Sequence, residues 1–158
     1  LPLFDETAVA EPVPELPVPT EGQNIVADYA SLGLTLGRHP LALLRPRLTG
    51  MGLRSAEQVR LHAHGDPVRI AGLVTCRQCP SSSAGVVFVT LEDETGTTQI
   101  IVWPRLAERQ RRILTAAGLL AVTGEVQREG EVLHVIAHRL EDHSALLGGL
   151  VARSRDFQ

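Results

Sequence analysis

The chain has 158 residues, is 44% hydrophobic and carries a formal net charge of −3, enough for one ordinary domain with a real core plus extensions. No apolar run reaches the roughly 18 to 20 residues needed to cross a bilayer and no signal peptide is visible. Two cysteines argue against a disulfide scaffold and for a reducing cytoplasm.

The charge is split along the chain. Residues 1–28 hold six acids and no base, the rest hold 12 acids against 15 bases, and every base is arginine. A modestly basic body is compatible with nucleic-acid binding without demanding it. The first residue is Leu1 rather than methionine, as expected of a fragment of something longer.

In chain order, Leu1-Pro2-Leu3-Phe4 precedes a Pro- and Glu-rich stretch to residue 23 with no helical or strand period, which reads as a linker. Residues 24–66 carry helical signals. Ile25, Val26, Tyr29 and Leu32 share a face, and Leu41, Leu44 and Leu48 repeat the pattern, with Pro46 expected to kink or end that helix. Ser55-Ala56-Glu57-Gln58 fits a capping box for a third short helix reaching about His62.

After Gly65-Asp66-Pro67 the period changes to two. Strands are expected at Val68–Arg77, Val86–Glu92, Thr98–Trp103, Leu119–Gln127 and Val132–Arg139, with one helix from Pro104 to about Ala117. Five strands with a helix between the third and fourth is the order of an OB-fold, a small Greek-key barrel. The fold class is therefore mainly β with α, the barrel occupying 67–142 and a tail 143–158. Gly72, inside the first strand, suits a sharp barrel bend.

Few residues offer chemistry. Cys76-Arg77-Gln78-Cys79 supplies two zinc ligands where a structural site needs four; His134 and His138, four apart in one strand, complete it only if that strand passes the loop. The favoured reading is two unpaired thiols. Leu48 to Val59 imitates the Gly-x-Gly hairpin of a DNA-binding helix pair, yet reads more simply as a turn between packing helices. Glu92-Asp93-Glu94 falls at a hairpin turn, where acids are commonly solvated; nothing beside it grips a phosphate, and no catalytic constellation is expected.

The helix from Pro104 presents Arg105, Arg109 and Arg112 on one stripe and Leu106, Ile113 and Ala117 on the other. The arginines are either a solvated face or a phosphate-contacting edge. Alternation in the preceding hairpin sends Val87, Val89, Leu91, Ile100 and Val102 inward, leaving Phe88, Thr90, Gln99, Ile101 and Trp103 on the outer face. In an OB-fold this is where single-stranded nucleic acid stacks its bases. Trp103 either joins that face or covers the barrel end against the helix.

The run VRIAGLV…VVFVTLEDETGTTQIIVW resembles the OB module shared by anticodon-binding domains and bacterial replicative DNA polymerases. In the anticodon-binding relatives, the residues matching Phe88 and Gln99 contact bases. ADYASLGLTLGRHPLALLRPRL, GLVTCRQC, FVTLEDETG, IVWPRLAERQRR and LLGGLVARSRDF extend the likeness over nearly the whole chain. They resemble the C-terminal region of the bacterial C-family polymerases, the DNA polymerase III alpha subunits, in their error-prone branch.

The resemblance implies a non-catalytic accessory region of a polymerase used in damage-induced (SOS) translesion synthesis and DNA repair. The catalytic carboxylates and their Mg²⁺ are then expected upstream. It also implies cytoplasmic, nucleoid-associated work and three kinds of partner: single-stranded DNA, the sliding clamp, and mutasome adaptors (an inactive Y-family-like polymerase subunit and a RecA-like subunit). Arg77, Phe88, Gln99, Trp103, Arg105, Arg109 and Arg112 are the expected nucleic-acid contacts. Leu1, Leu3 and Phe4 sit where replicative relatives carry a clamp-binding peptide, although they would equally suit core-facing residues of an upstream domain. Leu146, Leu147, Arg153, Arg155 and Phe157 make the tail a candidate docking segment for a partner, which is the alternative to direct DNA binding. One departure stands out: the loop from Cys79 to Ala84 is neutral where this branch is expected to be more basic, leaving Arg77 as its main charge.

Overall fold

The structure, a computed structural model, describes residues 39–149. The helical signals before residue 39 and the tail beyond residue 149 lie outside them. The described elements are α1 (Pro40–Gly50), α2 (Ala56–Arg60), β1 (Pro67–Gln78), a 3-10 turn (Ser81–Ser83), β2 (Val87–Asp93) and β3 (Gly96–Val102). There follow α3 (Pro104–Arg109), α4 (Arg111–Ala116), β4 (Leu119–Glu129) and β5 (Val132–Asp142); residues 144–149 are helical.

The five strands close into a barrel in the order β1-β2-β3-β5-β4. All neighbours are antiparallel except β3 and β5. This is the expected OB-fold. Its interior holds Val89, Leu91, Ile100 and Val102, all at most 2% exposed, with residues of β1, β4 and β5; Val87 packs against this set from its rim. The two-residue period of the hairpin therefore sorts as alternation predicts.

Close backbone approach dictates two glycines. A Cβ at Gly72 would lie 2.9 Å from Leu91 Cβ and 3.1 Å from the Glu92 carbonyl, so the β1–β2 crossing itself demands glycine there. At Gly124, beside the β4–β5 bulge, a Cβ would collide with the Ile136 carbonyl oxygen.

A second core lies outside the barrel. Leu41, Leu44 and Leu48 of α1 pack with Leu53, Ala71, Leu73, Leu119, Ala121 and Leu147. It covers the outer face of β1 and β4 and joins α1 and the helical segment after β5 to the barrel, whereas Val59 of α2 packs in the barrel core. Of the two outcomes expected at Pro46, a kink or an end, the helix does not end there but runs on to Gly50. Pro46 is exposed and removes a single N–H donor, while Leu41, Leu44 and Leu48 anchor the helix on both sides of it. The capping box of α2 is present, with Ser55 Oγ accepting from Gln58 N and Gln58 Oε1 from Ser55 N. The Gly50–Arg54 segment is a turn stitched to β1: the Arg69 carbonyl accepts from Arg54 N at 2.7 Å, and Met51 O accepts from Arg69 Nη1 at 2.7 Å.

The single helix expected over Pro104 to Ala117 is two. The break is Gln110, with φ −113° and ψ 35°. Its side-chain amide donates to Leu140 O at 2.9 Å and accepts from Leu140 N at 2.8 Å, satisfying backbone groups on the β5 edge that would otherwise lack partners. The break shifts the buried stripe, so Leu114 is buried in place of the expected Ile113, which is half-buried.

Candidate nucleic-acid interface

Pleating places Phe88 opposite Ile101 and Thr90 opposite Gln99 on the outer side of β2 and β3. The second core does not extend to this side. Phe88, Thr90 and Ile101 are half-buried, and Gln99 is exposed. Thr90 Oγ1 donates to Gln99 Oε1 at 3.1 Å, which steadies the amide and leaves its nitrogen without a protein acceptor among the described residues.

Trp103 follows two positions after Ile101 on the same extended backbone and forms the N-cap of α3. It is 54% exposed, so it does not seal the barrel end. That end is closed by Val102, Leu106, Leu114 and Ala117. A half-buried phenyl ring with an exposed indole diagonally beyond it is a geometry on which bases stack.

The expected arginines separate into two groups. Arg105, Arg109 and Arg112 are exposed on α3 and α4, and Arg111 joins them; none has an ion-pair partner among the described residues. Arg111 escapes the periodicity argument because the break at Gln110 resets the helix phase. Arg77 behaves differently. Its Nε donates to Leu114 O at 2.6 Å and its Nη2 to Ala117 O, tying the free carbonyls at the end of α4. Burial lowers the affinity of this guanidinium for its proton, and Asp142 partly opposes that. The side chain is thus engaged as a helix C-cap, which removes it from the open set.

The acidic turn is the largest departure from expectation. Asp93 is buried at 4% exposure, and its Oδ1 accepts from Thr95 N, Thr95 Oγ1 and Gly96 N. Its Oδ2 accepts from Ala56 N at 2.7 Å, so it supplies an orphan donor of α2 with a tertiary cap. Glu94 takes a two-pronged bond from Arg45, Nε to Oε2 at 2.7 Å and Nη2 to Oε1 at 2.8 Å. Hydrogen bonding to Arg45 holds the Glu94 carboxyl below its ordinary range, against burial. The turn is a dock for α1 and α2, built from partners far apart in sequence.

Cys76 and Cys79 are unpaired and half-buried. Among the described residues no group of three or more His, Cys, Asp or Glu is placed to hold a metal. His138 lies 3.3 Å from Glu125. Leu147 is fully buried in the second core and Leu146 packs against it. The tail expectation is corrected for Leu147, because an apolar side chain after the last strand finds a partner surface in α1. Leu1, Leu3, Phe4, Arg153, Arg155 and Phe157 lie outside the described residues. No helix among the described residues is long and apolar enough to cross a membrane.

Residues 68–142 match the family described as an OB-fold nucleic acid binding domain. The chain is 55% identical over 150 residues to the error-prone DNA polymerase of Aromatoleum aromaticum, which covers 95% of this chain and 14% of that protein. It is 54% identical over 157 residues to the error-prone DNA polymerase of Alkalilimnicola ehrlichii, 99% of this chain and 15% of that one. Among solved structures, asparaginyl-tRNA synthetase from Pyrococcus horikoshii superposes with a TM-score of 0.47 at 20% identity, over 58% of this chain and 22% of that chain. The chain spans about one seventh of the length of the curated relatives it matches. Over nearly its whole length the chain matches the C-terminal, OB-fold-bearing region of error-prone DNA polymerases.

Proposed function

We propose that this region is a non-catalytic accessory module of an error-prone polymerase and holds single-stranded template DNA during damage-induced translesion synthesis. The observation that carries the reading is the contrast between the two outer sides of the barrel. The β1–β4 side is sealed by a second apolar core. The β2–β3 side keeps Phe88, Ile101, Gln99 and Trp103 accessible beside four exposed arginines. Bases stack on Phe88 and Trp103, Gln99 hydrogen-bonds a base edge, and Arg105, Arg109, Arg111 and Arg112 face phosphates.

Nucleotidyl transfer and its Mg²⁺ belong, in this reading, to the larger part of the polymerase, of which the chain matches only about one seventh. The sliding clamp and mutasome adaptors are proposed partners of the whole polymerase, reached through segments such as Leu1 to Phe4 or the final residues. A second reading, docking of an adaptor protein on the same face, draws on the exposed Trp103, since tryptophan and arginine are enriched at protein interfaces.

Fluorescence anisotropy of labelled oligo-dT separates the two. Binding that weakens with salt and drops about 5- to 150-fold in Phe88→Ala, the loss of one stacked base, supports the template reading. Absence of binding at low micromolar concentration, with adaptor capture retained, rejects it.

A further inference from the structure

The barrel closure adds a strand to this face that the hairpin alone does not reveal. Strand β5 lies parallel to β3, with His134 opposite Gln99 and Ile136 opposite Ile101. Two cross-strand rows therefore run side by side over β2, β3 and β5. One is apolar: Phe88, Ile101, Ile136. The other is polar: Thr90, Gln99, His134. With neighbouring strands about 4.8 Å apart, each row extends roughly 10 Å across the barrel.

His134 is half-buried, and its imidazole has no hydrogen-bond or ion-pair partner among the described residues. Its relative on the same strand, His138, is held by Glu125 at 3.3 Å. The bulge between Thr123 and Gly124 leaves His138 without a direct partner position on β4, separating it from this surface. An unpaired aromatic ring level with Gln99, whose amide nitrogen has no protein acceptor among the described residues, and two positions from Ile136 on the same strand has the composition of a further stacking position.

We propose that the nucleic-acid track continues from β3 onto β5 and that His134 is a further base-contacting residue, taking a base two strands over from the one on Phe88. This rests on the template reading above. The occupant is single-stranded nucleic acid because the surface is continuous with the β2–β3 face. The matched nucleic-acid-binding domain also includes β5, and the exposed cations beside the face, Arg105, Arg109, Arg111 and Arg112, complement a polyanion.

The test uses the 158-residue chain and labelled oligo-dT, with His134→Ala, His134→Tyr and Phe88→Ala measured beside the parent protein. The expected result for His134→Ala is a loss of roughly fivefold or more, the low end for one stacked base. The slope of log affinity against log salt stays the same, because no phosphate contact is removed, and the melting temperature is unchanged. His134→Tyr, which restores a ring, recovers most of the affinity. Unchanged affinity in His134→Ala, while Phe88→Ala is weakened, overturns the β5 extension and leaves the template reading standing. A loss shared by both His134 variants together with a lowered melting temperature also overturns it, as a packing effect. If the parent protein itself fails to bind, the template reading falls and this inference falls with it.

Discussion

The tip and the outer face of one hairpin, β2–β3, treat their polar groups in opposite ways. At the tip, Asp93 and Glu94 turn inward and are consumed by Ala56, Thr95, Gly96 and Arg45. On the face, Gln99 and four nearby arginines remain open to solvent. Sequence pattern alone finds the open face through strand alternation but reads the acids of the turn as solvated, not as buried partners of distant groups. Burial and partner count distinguish a structural charge from one available for binding.

The comparison is broken most directly at Asp93. Asp93→Ala strips the acceptor from four donors, one of them the α2 N-terminus, and is expected to destabilise the fold by about 3–5 kcal/mol. Urea unfolding measures this, while affinity for oligo-dT per folded molecule stays constant. A stable Asp93→Ala protein that has lost oligonucleotide binding would move the turn into the binding site.

Arg45→Ala comes next. It leaves Glu94 and Asp93 without their cation and is expected to cost about 2–3 kcal/mol, below the range for a fully buried pair because both Arg45 and Glu94 keep some exposure. The same pair makes a pH prediction. Because Arg45 holds the folded-state Glu94 pKa below its ordinary 4.5, its stabilisation is complete above that pH. It is lost as pH falls through the depressed folded value. Acid titration of the melting temperature should show this limb in the parent protein and a weaker one in Arg45→Ala; identical limbs would remove Glu94 from the dock.

The smallest expected effects lie on the face. Single Arg→Ala changes at 105, 109, 111 or 112 should leave stability within about 0.5 kcal/mol. Each residue that meets a phosphate should lower the salt slope of oligo-dT binding by about 0.7. An unaltered slope in all four would make the arginine edge a solvated surface. Arg77→Ala should behave like a tip variant, losing stability through the uncapped end of α4.

What the sequence made legible follows from the range of each signal. The barrel, its strand order and the inward set Val89, Leu91, Ile100 and Val102 depend on a two-residue period and short turns, which are local. The capping box at Ser55 and the outward set Phe88, Gln99 and Trp103 are local as well. The Arg45–Glu94 dock spans 49 positions and leaves no periodic trace. The same holds for Gln110 pairing with Leu140, 30 positions away, and for Arg77 reaching Leu114 and Ala117. His134 joins the face only through the β3–β5 register, which no pattern within either strand determines. Leu147 looked like a tail residue because the surface that receives it belongs to α1.

The barrel is not equally secure around its circumference. Ten residue pairs join β4 to β5, whereas only three join β3 to β5, Gln99–His134, Ile100–Val135 and Ile101–Ile136. Local opening follows the fewest bonds, so these amides should exchange hydrogen for deuterium by a partial parting of the barrel. The short seam runs beneath the candidate interface. A strand of DNA laid across it would act as a splint, slowing exchange at Gln99 to Ile101 and His134 to Ile136 before any other part of the sheet responds.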